Sequence, residues 1–478
     1  MNNLRTYALA ISLMACTIIN GQYSQFDLSK YKLPDIKTSR LELNSYLTNN
    51  LSKSSYRMSD DTIENSNNTT SGSLDLAYYR FRNSRKYQGD LSIRAYLKPD
   101  LDRSTRQDET TRDNSMATNF TVQSINRFYL NDKLFLEADP YLSYKSSVSR
   151  YQRDDLPNDS RENMSLQSGS ISMPLSIGYG RIEPVEDARL AIYILEELSR
   201  AGRIPGTPSE ELILEMAGEI SKIKRERFFD TRIRKIAELH VIDSFLIAND
   251  LVSSDDITYF SILNDNWDYS GGPQRESGFL INTGLSNMIS MSSNKHDIYY
   301  SFGDSTSSNN RIKDYLIGGF INMRYAKPLN LYWQTSATFQ TSYNLEFERY
   351  SGDTDVLQAG SDARVFGTYL SGEIEYLPNS RSSFRLSVDG VYRNANSDLS
   401  MNIGEPENLS VSVNAFSLYQ AFDMYYYVSS RLRVEVSSYF SLVNLRDKTT
   451  YESTMPEEES FRDAVGNNLT FSLIYSFF

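Results

Sequence analysis

The chain has two histidines, His240 and His296. Acyl-transfer chemistry needs a His within reach of a nucleophile and of an acid that orients it, and a zinc site needs three or four convergent ligands. Two isolated imidazoles meet neither need, so both read as structural or surface residues. Carboxylates are abundant, 61 in all, and too evenly spread to nominate a hydrolytic pair. Asp100, Asp102 and Ser104 could open a calcium loop of the EF-hand kind. Thr105 stands where that turn needs Gly, however, and Thr111 where it needs a bidentate Glu. The run Pro456-Glu-Glu-Glu459 reads as a solvated loop tip. No catalytic residue, cofactor site or metal site is expected, and no enzymatic activity. The formal net charge of -12 argues against nucleic acid as a partner, because phosphate binding needs a basic surface.

The elements that would position any chemistry begin with an export signal. Arg5 precedes the short apolar run Ala8–Ala15, and Gly21 suits the residue before a cleavage site. Cleavage there removes residues 1–21. Cys16, the only cysteine, lies inside this segment. Leu13-Met14-Ala15-Cys16 could be a lipobox, but the apolar run continues through Ile18 and Ile19, which favours an ordinary signal residue. The mature chain is then free of cysteine and of disulfides.

Beyond the signal, the dominant pattern is period-2 alternation. From Leu331 to Phe347, Leu331, Trp333, Ala337, Phe339, Tyr343 and Leu345 alternate with Gln334, Ser336, Thr338, Gln340, Ser342 and Asn344. Ile171, Met173, Leu175, Ile177 and Tyr179 alternate with small polar residues, as do Phe384, Leu386 and Val388 with Arg385, Ser387 and Asp389. Mean hydropathy is -0.48, yet 34 residues are Tyr and no later apolar run is long enough for a spanning helix. Strands of about ten residues with one apolar face, joined alternately by short turns and long polar connections, are the signature of a transmembrane antiparallel β-barrel. About 16 strands are expected, near 38–47, 72–83, 87–98, 117–130, 134–147, 165–179, 256–265, 278–292, 296–303, 313–325, 331–347, 364–377, 383–395, 408–427, 431–445 and 467–478. The weak member is 256–265, because Ser253-Ser-Asp-Asp256 reads equally as a helix cap. If it is helical, 14 strands is the alternative. Long connections are expected at 48–70, 98–116, 148–164, 303–312, 348–363, 396–407 and 446–466, outside the cell. Ser292–Lys295 is expected to be a periplasmic turn, which places His296 there.

One stretch breaks the pattern. Residues 184–254 have helical period, between a first barrel part at 38–183 and a second at 255–478, with 22–37 as a periplasmic lead-in. Helix one follows Pro184, with Ala188, Ala191, Ile192, Leu195 and Leu198 on one face. Helix two opens with Thr207 as N-cap, Pro208 and Glu210. Helix three carries Ile233, Ile236, Ile242, Phe245 and Leu246. Charged helices cannot face lipid, and strand parity puts this module in the periplasm.

The terminal segment Asn468–Phe478 resembles the C-terminal signature of outer-membrane proteins: Leu469, Phe471, Leu473, Tyr475 and Phe477 alternate, and Phe478 lies one beyond the apolar register. Tyr31-Lys-Leu-Pro-Asp35 and Gly178-Tyr-Gly-Arg-Ile-Glu-Pro184 resemble uncharacterised outer-membrane β-barrel proteins of Bacteroidota. The resemblance implies location in the cell outer membrane, with membrane lipid and the barrel-assembly machinery as partners, Phe471, Tyr475, Phe477 and Phe478 being the assembly signature. It implies no substrate. On the inward faces stand Arg324, Glu373, Glu375, Arg385, Asp389, Arg433 and Glu435, the candidate lumen lining. If the turn near Pro378–Arg381 keeps Tyr376 opposite Phe384, Glu375 faces Arg385. These charges suit a selectivity-setting pore wall or a stiffening ladder of ion pairs. The expected function is a pore or transport protein for small polar solutes. The alternative is an anchor that presents 184–254 to a periplasmic protein partner.

Overall fold

The computed structural model describes residues 26–58, 61–106, 109–154, 159–206, 208–225, 231–252, 255–269, 275–301, 303–352, 358–403, 405–429, 432–451 and 458–475. The expected export signal at 1–21 with Cys16, and Thr207, Pro456–Glu457, Phe477 and Phe478, lie outside them.

Sixteen strands form one antiparallel sheet: β1 (Ile36–Met58), β2 (Asp61–Asn83), β3 (Tyr87–Arg106), β4 (Glu109–Tyr129), β5 (Leu134–Ala138), β6 (Tyr141–Asp154), β7 (Ser160–Ser172), β8 (Leu175–Pro184), β9 (Glu276–Tyr300), β10 (Ser305–Pro328), β11 (Trp333–Gly352), β12 (Gln358–Asn379), β13 (Ser382–Ile403), β14 (Glu405–Tyr427), β15 (Leu432–Tyr451) and β16 (Glu458–Tyr475). They make fourteen spans. β5 and β6 pair with β4 in one unbroken register, and β7 and β8 do the same with β9. Each is one span interrupted at Asp139–Pro140 or Met173–Pro174, where proline has no N–H to give the ladder. The Asn287 side chain repairs the second gap, bonding the Met173 N and O at 2.9 and 2.7 Å.

Two expected strands disappear, which preserves the even count. Residues 256–265 belong to a helix, and 278–292 and 296–303 are one strand, β9. Ser292–Lys295 is therefore not a turn, and His296 lies toward the long-loop end of β9, away from the short turns. It bonds Glu162 at 2.6 Å. Most of the expected long loops are strand too: β1 and β2 stay paired out to Met58 and Asp61, β3 and β4 out to Arg106 and Glu109. Strands of 20–25 residues, rising ~3.3 Å per residue and tilted ~40°, stand roughly 50–60 Å tall against an apolar band of ~25 Å. Above the band both faces meet water, so period 2 vanishes from the sequence while pairing continues.

Within the band, alternation is clean. On β8, Leu175, Ile177 and Tyr179 are exposed outward while Ser176, Gly178 and Gly180 are buried. The sheet curls strongly. Arg181 on β8 donates to Asn83 Oδ1 at the end of β2, 2.7 Å away, although four strand intervals, about 19 Å when flat, separate them. The turn Leu28–Lys30 touches β9 and β10, and the six residues from Lys30 to Ile36 can span only about 21 Å. Flat, β1 and β9 would lie about 29 Å apart. The fold is thus an antiparallel β-barrel of the membrane-spanning type. β1 and β16 end the sheet order, antiparallel to one another, and among the described residues no pairing joins them.

Among the described residues between β8 and β9 there are four helices: α1 (Glu186–Arg200), α2 (Glu210–Ile223), α3 (Thr231–Ala248) and α4 (Ile257–Asp268). Three were expected. Asp256 caps the fourth, accepting from Thr258 N and Tyr259 N at 3.1 Å, so a cap decided between strand and helix. The α2 cap is Ser209, which accepts from Leu212 N at 3.3 Å, rather than Thr207. α1 is buried on nearly all sides, which its apolar stripe alone did not foretell. It shares one core with α2–α4, the lead-in residues Leu28, Tyr31, Leu33 and Ile36, and Leu331 from the β10–β11 turn.

Candidate functional site

The functional geometry is the short-turn mouth of the barrel, where the helical module meets the inward faces of the strands. Depth along β11 shows it. Gln334 is 4% exposed, whereas Gln340, six residues further from the mouth on the same inward face, is open to water. Glu375 and Ser383 are each 2% exposed.

The inward charges sort into small groups. β12 and β13 pair with Tyr376 opposite Phe384 and Glu375 opposite Arg385. Glu375 Oε1 accepts from Ser383 Oγ at 2.6 Å and from Arg385 Nη2 at 3.5 Å. Arg385 Nε lies 3.7 Å from Glu373. Asp389 accepts from the Tyr369 hydroxyl at 2.9 Å. Arg433 pairs with Glu435 at 2.6 Å, donates to the Tyr427 hydroxyl at 2.9 Å, and lies over the Tyr425 and Tyr427 rings. Arg324 stands apart, paired with Glu276 at 2.9 Å.

A second inward group has no counterpart among the expected residues. Glu137 pairs with Arg127 and accepts from Asn282 Nδ2 at 2.7 Å and Ser176 Oγ at 3.2 Å. Asn322 extends the chain to Asn282 Oδ1 at 3.0 Å. The signal was available: Glu137 is the charged residue between outward Leu136 and Ala138.

The module is seated on the rim through specific contacts. Arg275 is fully buried and donates to the carbonyls of Leu331 (2.6 Å), Asn330 (2.7 Å) and Trp333 (2.7 Å). Burial pulls its pKa down to about 9, so it remains cationic at neutral pH. Tyr193 on α1 donates to Leu377 O at 3.4 Å. Arg381 pairs with Asp265 on α4 at 2.5 Å and lies over Tyr269, whose ring meets Tyr427. Inside the module, Asp187 is held by Lys224 at 2.8 Å, Arg225 at 3.4 Å and Ser221. The Ser221 hydroxyl also meets the Tyr31 hydroxyl at 2.6 Å. Burial works to raise the Asp187 carboxyl, but the two cations outweigh it and hold it below its usual range. Burial, with Asp187 alongside, pushes Glu186 up to about 7.

His240 is exposed on α3, and among the described residues no group of His, Cys, Asp and Glu could hold a metal. Phe471 and Tyr475 lie in an exposed outward row with Leu469 and Leu473.

No family model and no curated protein matches the chain. Among solved structures, the translocator domain of autotransporter NalP from Neisseria meningitidis is 9% identical, covering 79% of this chain and 87% of that one with a TM-score of 0.23. The Ralstonia pickettii toluene transporter TbuX is 8% identical, covering 90% of each chain, with a TM-score of 0.29. The P. putida toluene transporter TodX is 8% identical, covering 94% and 92%, with a TM-score of 0.27. Superpositions this loose assign no cargo.

Proposed function

We propose that this chain is an outer-membrane barrel, exported by its N-terminal signal, that conducts small polar solutes and is closed at its periplasmic mouth by the helical module. The observation that carries the reading is the inward face: polar and ion-paired along its length, wet at Gln340 and buried at Gln334 beneath the module. Ion pairs alone would also stiffen an anchor's wall; the exposure of Gln340 deeper on the same face is what supports conduction. Opening then requires the module to release the rim, where the Arg381–Asp265 pair and the Tyr269–Tyr427 contact hold it, while α1–α4 share one apolar core. Membrane lipid and the barrel-assembly machinery are its partners, the latter through the row containing Phe471 and Tyr475. The reading includes no catalytic step.

Single-channel recording in a planar bilayer tests it. The wild type should be mostly closed, and Arg381→Glu, which sets two acids against each other at the rim, should raise the open fraction. Absence of conductance in both proteins would favour the second reading, an anchor whose module binds a periplasmic protein. Exposed Ile236, Ile247, Ile257 and Phe260 on α3 and α4 are what support that alternative.

A further inference from the structure

A cavity of about 610 Å³ opens at the periplasmic rim between the lead-in segment, two hairpin turns and the ends of β8 and β9. This size suits a small ligand. The walls exist because Gly180 and Gly278 adopt φ of 108° and 140°. A Cβ at either would meet a carbonyl oxygen of the opposite strand at 2.0 Å, so only glycine allows the kink.

The cavity has an apolar side and a charged side. Tyr179 and Phe279 face outward and exposed at its edge, where the aromatic belt of a barrel meets lipid headgroups. Outward Leu175 and Ile177 continue that face into the apolar band. Lys133 lies 5.7 Å over the Tyr179 ring. Lys32 and Arg85 are exposed at the same opening, Arg85 only loosely near Asp132 at 3.8 Å. Against these cations stands one buried acid. Glu183 is 7% exposed. Its Oε1 pairs with Arg181 at 2.8 Å, but Oε2 is buried without a hydrogen-bond partner. Lys32 Nζ lies 3.9 Å from it, beyond hydrogen-bond range. A buried carboxylate oxygen left without a donor is costly.

We propose that this cavity binds the headgroup of a phosphoethanolamine lipid from the periplasmic leaflet. The primary ammonium supplies the missing donors to Glu183 Oε2. The phosphate meets Lys133, Arg85 and Lys32, and the acyl chains run up the outward face past Tyr179 and Phe279. Glu183 sets the specificity. A glycerol headgroup brings no cation, and a choline ammonium has no N–H to donate.

The test is native mass spectrometry of the full-length protein in detergent, titrated with phosphatidylethanolamine, phosphatidylglycerol or soluble glycerophosphoethanolamine. Wild type should retain one phosphatidylethanolamine about ten-fold better than phosphatidylglycerol, the worth of one charge-assisted hydrogen bond, and should bind the soluble headgroup far more weakly than the lipid. Glu183→Gln should bring the two lipids close to parity. Lys133→Ala, on an exposed turn, should weaken both lipids alike. Equal retention of the two lipids by wild type, or a preference unchanged in Glu183→Gln, would overturn the proposal. Soluble headgroup bound as tightly as the lipid would overturn the lipid assignment in favour of a soluble ligand. Heat-dependent mobility in SDS checks that each variant is folded.

Discussion

Replacing Arg275 should uncouple the module from the rim, and the ranking of two variants is the diagnostic. Arg275 sits where the chain leaves the module for β9, fully buried, donating to Asn330 O, Leu331 O, Trp333 O and, at 3.3 Å, Gln334 Oε1. Trp333 O keeps a second donor, Leu329 N at 2.9 Å. Arg275→Met therefore strips the donors from two buried carbonyls, at about 1–3 kcal/mol each. Against this, it removes a buried charge whose desolvation costs several kcal/mol. The two effects largely offset, so Met should change stability by no more than about 2 kcal/mol. Arg275→Lys keeps the desolvation cost, yet a compact ammonium cannot reach all the carbonyls that the planar guanidinium spans. Lys should therefore destabilise more than Met. The assay is urea unfolding in detergent followed by tryptophan fluorescence. The chain's two tryptophans report well: Trp333 adjoins the latch, and Trp267 is buried in the module on Glu238 at 2.6 Å. A Lys variant as stable as wild type would refute the reasoning, because it would mean that the charge matters and the fork of hydrogen bonds does not.

Three other outcomes follow from the same geometry. Phe339→Arg places a cation on the outward face, where Phe339 sits opposite Met323 and Leu370, and should cost about 2–4 kcal/mol; Gln340→Arg, on the exposed inward face, should be nearly silent in a vesicle-folding titration. Glu186 titrates near 7 when folded and near 4.5 when unfolded, so the folded state holds the proton more tightly, and its contribution is full below about pH 4.5 and lost as pH rises through 7. The module should consequently resist urea better at pH 5.5 than at pH 8, and Glu186→Gln should shrink that difference; an undiminished difference would assign the pH dependence elsewhere. Unheated protein in SDS should run faster than boiled protein, because strands held in one continuous ladder resist the detergent, and identical mobility would count against the barrel fold.

The sequence was most legible where one face met lipid. β8 and β11 alternate because outward residues touch hydrocarbon and inward ones do not, and a short turn carried that reading as far as the pairing of Glu375 with Arg385. Legibility failed where that contrast was absent. The polar ends of β1, β2, β9 and β10 lie beyond the apolar band, so water on both faces erased the period and strands resembled loops. Pro140 and Pro174 break single spans without moving the register, a distinction that only the partner strand reveals. The helix at 257–268 was signalled by Asp256, but Ile257, Tyr259 and Phe260 also fit a strand. Arg275 was not legible at all, because its partners are backbone carbonyls some 55 residues away, and carbonyls leave no mark on a sequence.

The central claim, a barrel with its helical cap on the periplasmic side, can be tested by labelling, since the only cysteine is Cys16, within the expected export signal. Ser308→Cys places one thiol on the exposed long-loop end of β10, and Ser261→Cys places one on the exposed surface of α4. A membrane-impermeant maleimide added to intact cells should label position 308 and spare position 261, which should label only after the outer membrane is permeabilised. Labelling of position 261 in intact cells would put the cap outside and contradict the account.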